Sequence, residues 1–130
     1  REDMTLAVFE GVTFALRDSL EVARSLGIKI DRTMICGGGA KSPLWKRLVA
    51  NILNVEVEVP MSEEGPGFGA AILAAVGCGE YESVEDATKS IIKIKEKIKP
   101  EADLVVKYEE KYQKFKKIYP ALKDVFKEIR

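Results

Sequence analysis

The chain has 130 residues, one domain's worth, and its 46% apolar and 32% charged content reads as a globular protein with a proper core. Its 21 Lys and Arg match its 21 Asp and Glu, which excludes a nucleic-acid or membrane-surface role carried by bulk charge. No apolar run reaches the length of a membrane span and no secretory pattern opens the chain, so a cytoplasmic protein with no nucleic-acid or membrane partner is expected.

Met4, Leu6, Val8, Phe9, Val12, Phe14, Leu16, Leu20, Val22 and Leu26 predict a helix over 4–26, with Asp3 as N-cap and Gly27 as its stop. Its apolar positions cover more than one face, so it expects neighbours on several sides. Arg32 to Cys36 is a short β-prone run that ends at Gly37-Gly38-Gly39. Ser42 as N-cap and Pro43 at the first helical position open a second helix, with Leu44, Leu48, Val49, Ile52 and Leu53 as its apolar face. Val55 to Val59 alternates Val and Glu, the period of a strand whose solvated face carries Glu56 and Glu58, and Pro60 closes it.

A turn from Ser62 to Gly67, with Glu63-Glu64 exposed, leads into a third helix over 70–76 that ends at Gly77 and Gly79. Its alanines suit close packing against a sheet or another helix. Ser83 and Asp86 then cap a charged helix running to about Lys99. After Pro100, residues 104–119 form a helix with Tyr108, Tyr112, Phe115 and Tyr119 in a packing stripe, and Pro120 starts a last short helix to Ile129.

The order predicts an α/β fold of two parallel strands flanked by helices, followed by a helical C-terminal tail. Residues 1–82 are expected to form a partial lobe, and 83–130 a helical extension packed on it. Two strands leave both sheet edges open, so either a longer chain supplies more strands or the fragment self-associates. Arg1, in place of an initiating Met, points the same way.

The chemistry concentrates at Gly37-Gly38-Gly39-Ala40-Lys41-Ser42-Pro43. Glycines between a strand and a helix let the backbone touch a ligand, and the helix aims its N-terminal amides at the same spot. In parallel α/β sheets, ligands lie beyond the carboxyl ends of strands, which makes a phosphate or ribose-phosphate the natural guest. The same turn is also a plain structural connection, and geometry alone leaves both readings open. The dinucleotide fingerprint fails because Ser42 stands where its third Gly belongs, and the P-loop fails because Ala40 precedes Lys41-Ser42. Having no His, the chain contains no His triad, proton shuttle or His metal site. Cys36 and Cys78 read as two reduced core thiols, with a disulfide as the minor alternative. Glu10 and Asp18 stay open between buried polar partners and surface charges. Lys41 reads as a solvated turn residue and Trp45 as packing.

The run Ile35 to Trp45 resembles the adenosine motif of the FGGY carbohydrate kinases, most closely in their xylulokinase branch. Three further stretches agree in order and spacing: Ala7 to Val12 with Leu16-Arg17-Asp18, Glu64-Gly65-Pro66 with Gly69-Ala70-Ala71, and Tyr119-Pro120-Ala121-Leu122. The resemblance implies the later part of the second actin-like domain of an ATP-dependent sugar kinase, with ATP in the cleft between the two domains. It implies that Gly38, Gly39, Ala40, Ser42 and Pro43 form the chain's share of the ATP site. Pro43 stands where related kinases often carry an Asn that reaches adenine, so the base contact here is expected to be apolar or to pass to Ser42. Gly69 and Ala70 would serve packing and closure at the interdomain hinge. The catalytic Asp, the sugar pocket and most of the Mg2+ site belong to parts absent here, so no catalytic or metal residue is assigned. The implied reaction converts ATP and D-xylulose to ADP and D-xylulose 5-phosphate, with the fragment inactive alone and homodimerisation open for the intact enzyme. The alternatives from other classes are a stand-alone nucleotide-binding module and a protein-interaction domain.

Overall fold

Helix α1 (Glu2–Ser25) opens the fold, with Asp3 inside its first turn rather than capping it. A carboxylate there still faces the positive end of the helix dipole. The computed structural model describes residues 2–62 and 65–129, so the expectations for Arg1 and for Glu63-Glu64 lie outside the described residues. Gly27 ends α1 at φ 81, its N–H bonding Arg24 O while Ile28 N bonds Ala23 O. This double closure needs a left-handed residue, which Gly supplies without strain.

Strand β1 (Arg32–Met34), helix α2 (Pro43–Leu53) and strand β2 (Glu56–Pro60) form a βαβ unit, and the strands are parallel with Arg32 opposite Glu56. Ser42 caps α2 as expected, its Oγ accepting the Trp45 N–H at 3.3 Å with Pro43 at the first helical position. Helix α3 (Pro66–Gly77) begins four residues before the predicted start because Pro66 also suits a first helical turn. Only Ile72 of α3 is buried, so its alanines stay uncovered apart from the contact with helix α4 (Val84–Ile91).

The charged segment to Lys99 departs from expectation. Its helix stops at Ile91, and Ile94–Ile98 forms strand β3, antiparallel to β2 with Val57 opposite Ile98 and Glu58 opposite Lys97. The sheet therefore has three strands in the order β1-β2-β3, of which the first two are the parallel pair foreseen. The new strand changes the fate of Glu58, which is only 8% exposed and accepts from Lys97 Nζ at 2.5 Å instead of facing solvent. Both cysteines are free and exposed, not core thiols.

Two cores share α2. One joins Val49, Ala50 and Leu53 of α2 to Val55 and Val57 beside and on β2, with Leu20 and Ile98 packed against it. The other joins Phe14 of α1 and Leu48 and Ile52 of α2 to Tyr112 of helix α5 (Ala102–Phe115). Phe14 meets the rings of Tyr108, Tyr112 and Phe115 at 6.4, 6.0 and 5.2 Å, so these three of the predicted stripe do pack. Tyr119, in helix α6 (Ile118–Glu128), is 64% exposed and does not. Polar contacts frame this second core. Lys111 Nζ donates to Glu10 at 2.7 Å, Arg17 pairs with Glu109, and Tyr112 Oη donates to Asp18 at 2.6 Å. Glu10 and Asp18 are thus partners of α5, not free surface charges. At the start of α5, Arg47 holds Glu101 in a two-pronged pair at 2.6 Å and lowers its carboxyl pKa.

Burial first, then the hydrogen bond to Asp18 and that carboxylate's charge, pushes the Tyr112 phenol from 10 up to about 12. A phenol whose pKa rises on folding stabilises the fold fully below its unfolded value and loses that contribution as pH climbs through its folded value. Stability is therefore expected to fall between pH 10 and about 12, and less steeply in Tyr112→Phe. A spectrophotometric titration checks this: one phenol should ionise near pH 12 in the parent and be missing in the variant. Ionisation of Tyr112 together with the exposed phenols would contradict the assignment.

Candidate nucleotide cleft

The glycine turn leaves the carboxyl end of β1 and coils through a short 3-10 turn, Gly38–Lys41, before α2 begins. Its three glycines sit in three different environments. Gly37 sits at φ 78, in the left-handed region. A Cβ on Gly39 would lie 3.1 Å from Cδ1 and Nε1 of the Trp45 indole, so its bareness lets Trp45 pack under the turn. A Cβ on Gly38 would meet nothing within 4 Å. Trp45 is held from its other side by Phe9, edge-on at 5.5 Å, which settles it as a packing residue.

Beside the turn lies a half-open cavity of about 240 Å³ at the carboxyl ends of β1 and β2. Ile35, Cys36, Gly37, Ala40 and Lys41 form one wall, Val59 to Ser62 the floor, and Lys46, Lys95 and Glu96 the opposite wall. Of the five residues assigned from sequence, Ala40 lines this cavity directly. Gly38 and Gly39 belong to the turn that forms its rim, and Ser42 and Pro43 sit just behind, opening α2. The Ser42 hydroxyl already accepts the Trp45 N–H, which leaves it free to donate.

Sequence reasoning missed the far wall. Lys46, one turn into α2, is only 8% exposed and pairs with Glu96 of β3 across the end of the sheet. Nothing in α2 alone distinguishes Lys46 from a surface lysine, and Ile94 and Ile98 stand at i and i+4, a spacing that suits a helix, so the sequence carried no local signal of the strand that pairs with it. Glu96 is the only described carboxylate at the cavity and Lys46 already neutralises it, so the residues present do not fit a Mg2+ ion. Among the described residues no group of three or more Asp, Glu or Cys side chains is placed to hold a metal. No helix among them is long and apolar enough to cross a membrane.

A strand, a glycine turn and a capped helix feeding a parallel neighbour, with a cleft at the strand ends, fit part of an actin-like ATPase domain, and solved structures carry the assignment. A solved xylulose kinase from Brucella ovis has this fold, superposing with a TM-score of 0.82 at 35% identity over 94% of this chain and 25% of its own. Residues 1–78 match the family model described as the FGGY family of carbohydrate kinases, C-terminal domain. The chain belongs to the FGGY family of carbohydrate kinases. Among curated relatives, the xylulose kinases of Staphylococcus epidermidis and Bacillus subtilis are 38% and 37% identical to it over 125 residues. Each alignment covers 96% of this chain and 25% of the relative, so the chain spans about a quarter of the length of the relatives it matches.

Proposed function

We infer that the chain is the ATP-side, C-terminal part of a cytoplasmic sugar kinase that transfers the γ-phosphoryl of ATP to a hydroxyl of D-xylulose. The observation that carries this reading is the glycine turn at the carboxyl end of β1, whose Gly37 and Ala40 line the cleft and whose Gly38 has open space where a side chain would stand. Identity to xylulose kinases over nearly the whole chain supports the choice of sugar. In this reading Gly38, Gly39 and Ala40 border the phosphates and ribose. Ser42 and Pro43 lie toward the base, and the amides at the start of α2 add positive potential. Residues 1–82 supply the glycine turn and the strand ends of the cleft, and 83–130 add its far wall on β3 and brace α1 and α2 through α5.

Phosphoryl transfer needs a metal, a positioned hydroxyl and clamps on both sides of the phosphate chain. This chain offers one side of the cleft between the two domains. Bound Mg2+ would neutralise charge on the phosphates, and the remaining kinase polypeptide would hold it. Met4, Val8 and Val12 on α1 and Leu73 on α3 are 75, 63, 48 and 60% exposed, an apolar surface that the rest of the kinase would cover and that drives self-association without it. A homogeneous preparation of these 130 residues is expected to show no sugar-dependent ATP consumption with any pentulose. A coupled ADP assay checks this, and measurable turnover would sink the reading of the chain as a part that is inactive alone.

A further inference from the structure

Strand β3 is irregular where it passes the cleft. Val59 of β2 pairs with Glu96, but the next residue, Pro60, pairs with Ile94, so Lys95 is the extra residue of a bulge. In a regular strand, consecutive side chains point to opposite faces. Here Lys95 and Glu96 both line the same cavity, while Ile94 and Lys97 both line a groove on the other side of the sheet. The bulge has turned Lys95 toward the glycine turn.

The charges around it differ from it in one respect. Lys46 is satisfied by Glu96, and Lys97 by Glu58 and Glu56. Lys95 makes no ion pair or side-chain hydrogen bond among the described residues. Among the described residues it stands as an uncompensated cation, across a small cavity from backbone that is bare of side chains at Gly37. The Lys46–Glu96 pair fixes the strand beside it to the helix that follows the turn, so the two walls are held at a set separation.

We propose that Lys95 is a nucleotide-binding residue, contacting the anionic phosphate chain of ATP from the wall that faces the glycine turn. The proposal rests on the reading of this cleft as the nucleotide site. Bulges that re-aim one side chain next to a binding site are a recurrent use of this irregularity. A flexible ammonium suits a phosphate as a point charge, without the fixed geometry that a guanidinium demands. Lys46 and Glu96 cancel, so Lys95 supplies net positive charge on its wall.

The test is calorimetric binding of ADP and of adenosine to the full-length kinase carrying Lys95→Ala, Lys95→Arg or Gly38→Val. Lys95→Ala is expected to weaken ADP by roughly ten- to a hundredfold while adenosine stays within about twofold, since the lost contact is one charged hydrogen bond. Lys95→Arg should keep most of the ADP affinity, and raising the salt should shrink the gap between parent and Lys95→Ala. The exposed side chain makes an unchanged melting temperature the expectation for both variants. If Lys95→Ala binds ADP normally while Gly38→Val does not, the proposal fails and the nucleotide cleft stands. Equal losses of ADP and adenosine in Lys95→Ala would also overturn it, because the contact would then not be to phosphate. Normal ADP binding by all three variants would remove the cleft assignment itself.

Discussion

Gly38→Val in the full-length kinase is expected to raise the KM for ATP by roughly ten- to a hundredfold and leave the KM for the sugar nearly unchanged. Loss of one or two nucleotide contacts costs roughly 1–3 kcal/mol, which sets that range. The position is well chosen because the protein itself leaves it open: an added Cβ meets no atom within 4 Å, and the backbone there is not left-handed. A valine therefore fits the fold, so a loss of ATP affinity would report on a ligand against the turn and not on misfolding. Its two neighbours add a structural cost of their own. Gly39→Val drives a branched side chain into Trp45, whose nearest atoms lie 3.1 Å from the first new carbon, so it should lower the melting temperature. Gly37→Val forces a β-branched residue to φ 78 and should destabilise through the backbone alone. Three consecutive glycines thus separate ligand space, packing and backbone conformation. Unchanged ATP kinetics in a folded Gly38→Val protein would end the nucleotide assignment for this turn.

Phe14→Ala is expected to destabilise the protein by about 3–5 kcal/mol, the usual range for emptying an aromatic site in a core. Phe14 is 4% exposed and meets three rings of α5 in a core that it shares with Leu48 and Ile52 of α2. Its loss should loosen α5 as well as leave a void. Val22→Ala on the same helix, at a position 61% exposed, should fall within about 0.5 kcal/mol of the parent. Urea unfolding of both variants measures the difference, and a cost below about 1 kcal/mol for Phe14→Ala would show that the second core is not cooperative with the first.

Local signals in the sequence located much of this architecture. Gly27 and Ser42-Pro43 carry their own structural reasons, and the Val-Glu alternation of β2 needs no partner to be seen. The failures were of the opposite kind. Residues 92–99 are rich in Lys and Ile, which local propensity reads as a continuing helix, yet pairing with β2 holds them extended. Everything that depends on β3 was hidden with it: the burial of Glu58, the pairing of Lys46, and the far wall of the cleft. For the glycine turn, the sequence marked the place but not the division of labour. That Gly39 makes room for Trp45 while Gly38 faces nothing depends on the path of the 3-10 turn, which the residue types alone do not determine.

The two cores differ in how much chain each must gather. The first draws chiefly on Val49 to Val57, neighbours in sequence. The second ties α1 to α5, and the bond from Tyr112 to Asp18 closes a loop of 94 residues. Closing a flexible loop of that length costs about 4 kcal/mol of chain entropy at its first contact. A βαβ unit with its own small core can thus be assembled at little entropic cost, whereas the brace on α1 must await the last third of the polypeptide. During synthesis Phe14 emerges long before Tyr108, Tyr112 and Phe115, and it remains without these ring partners until α5 has left the ribosome.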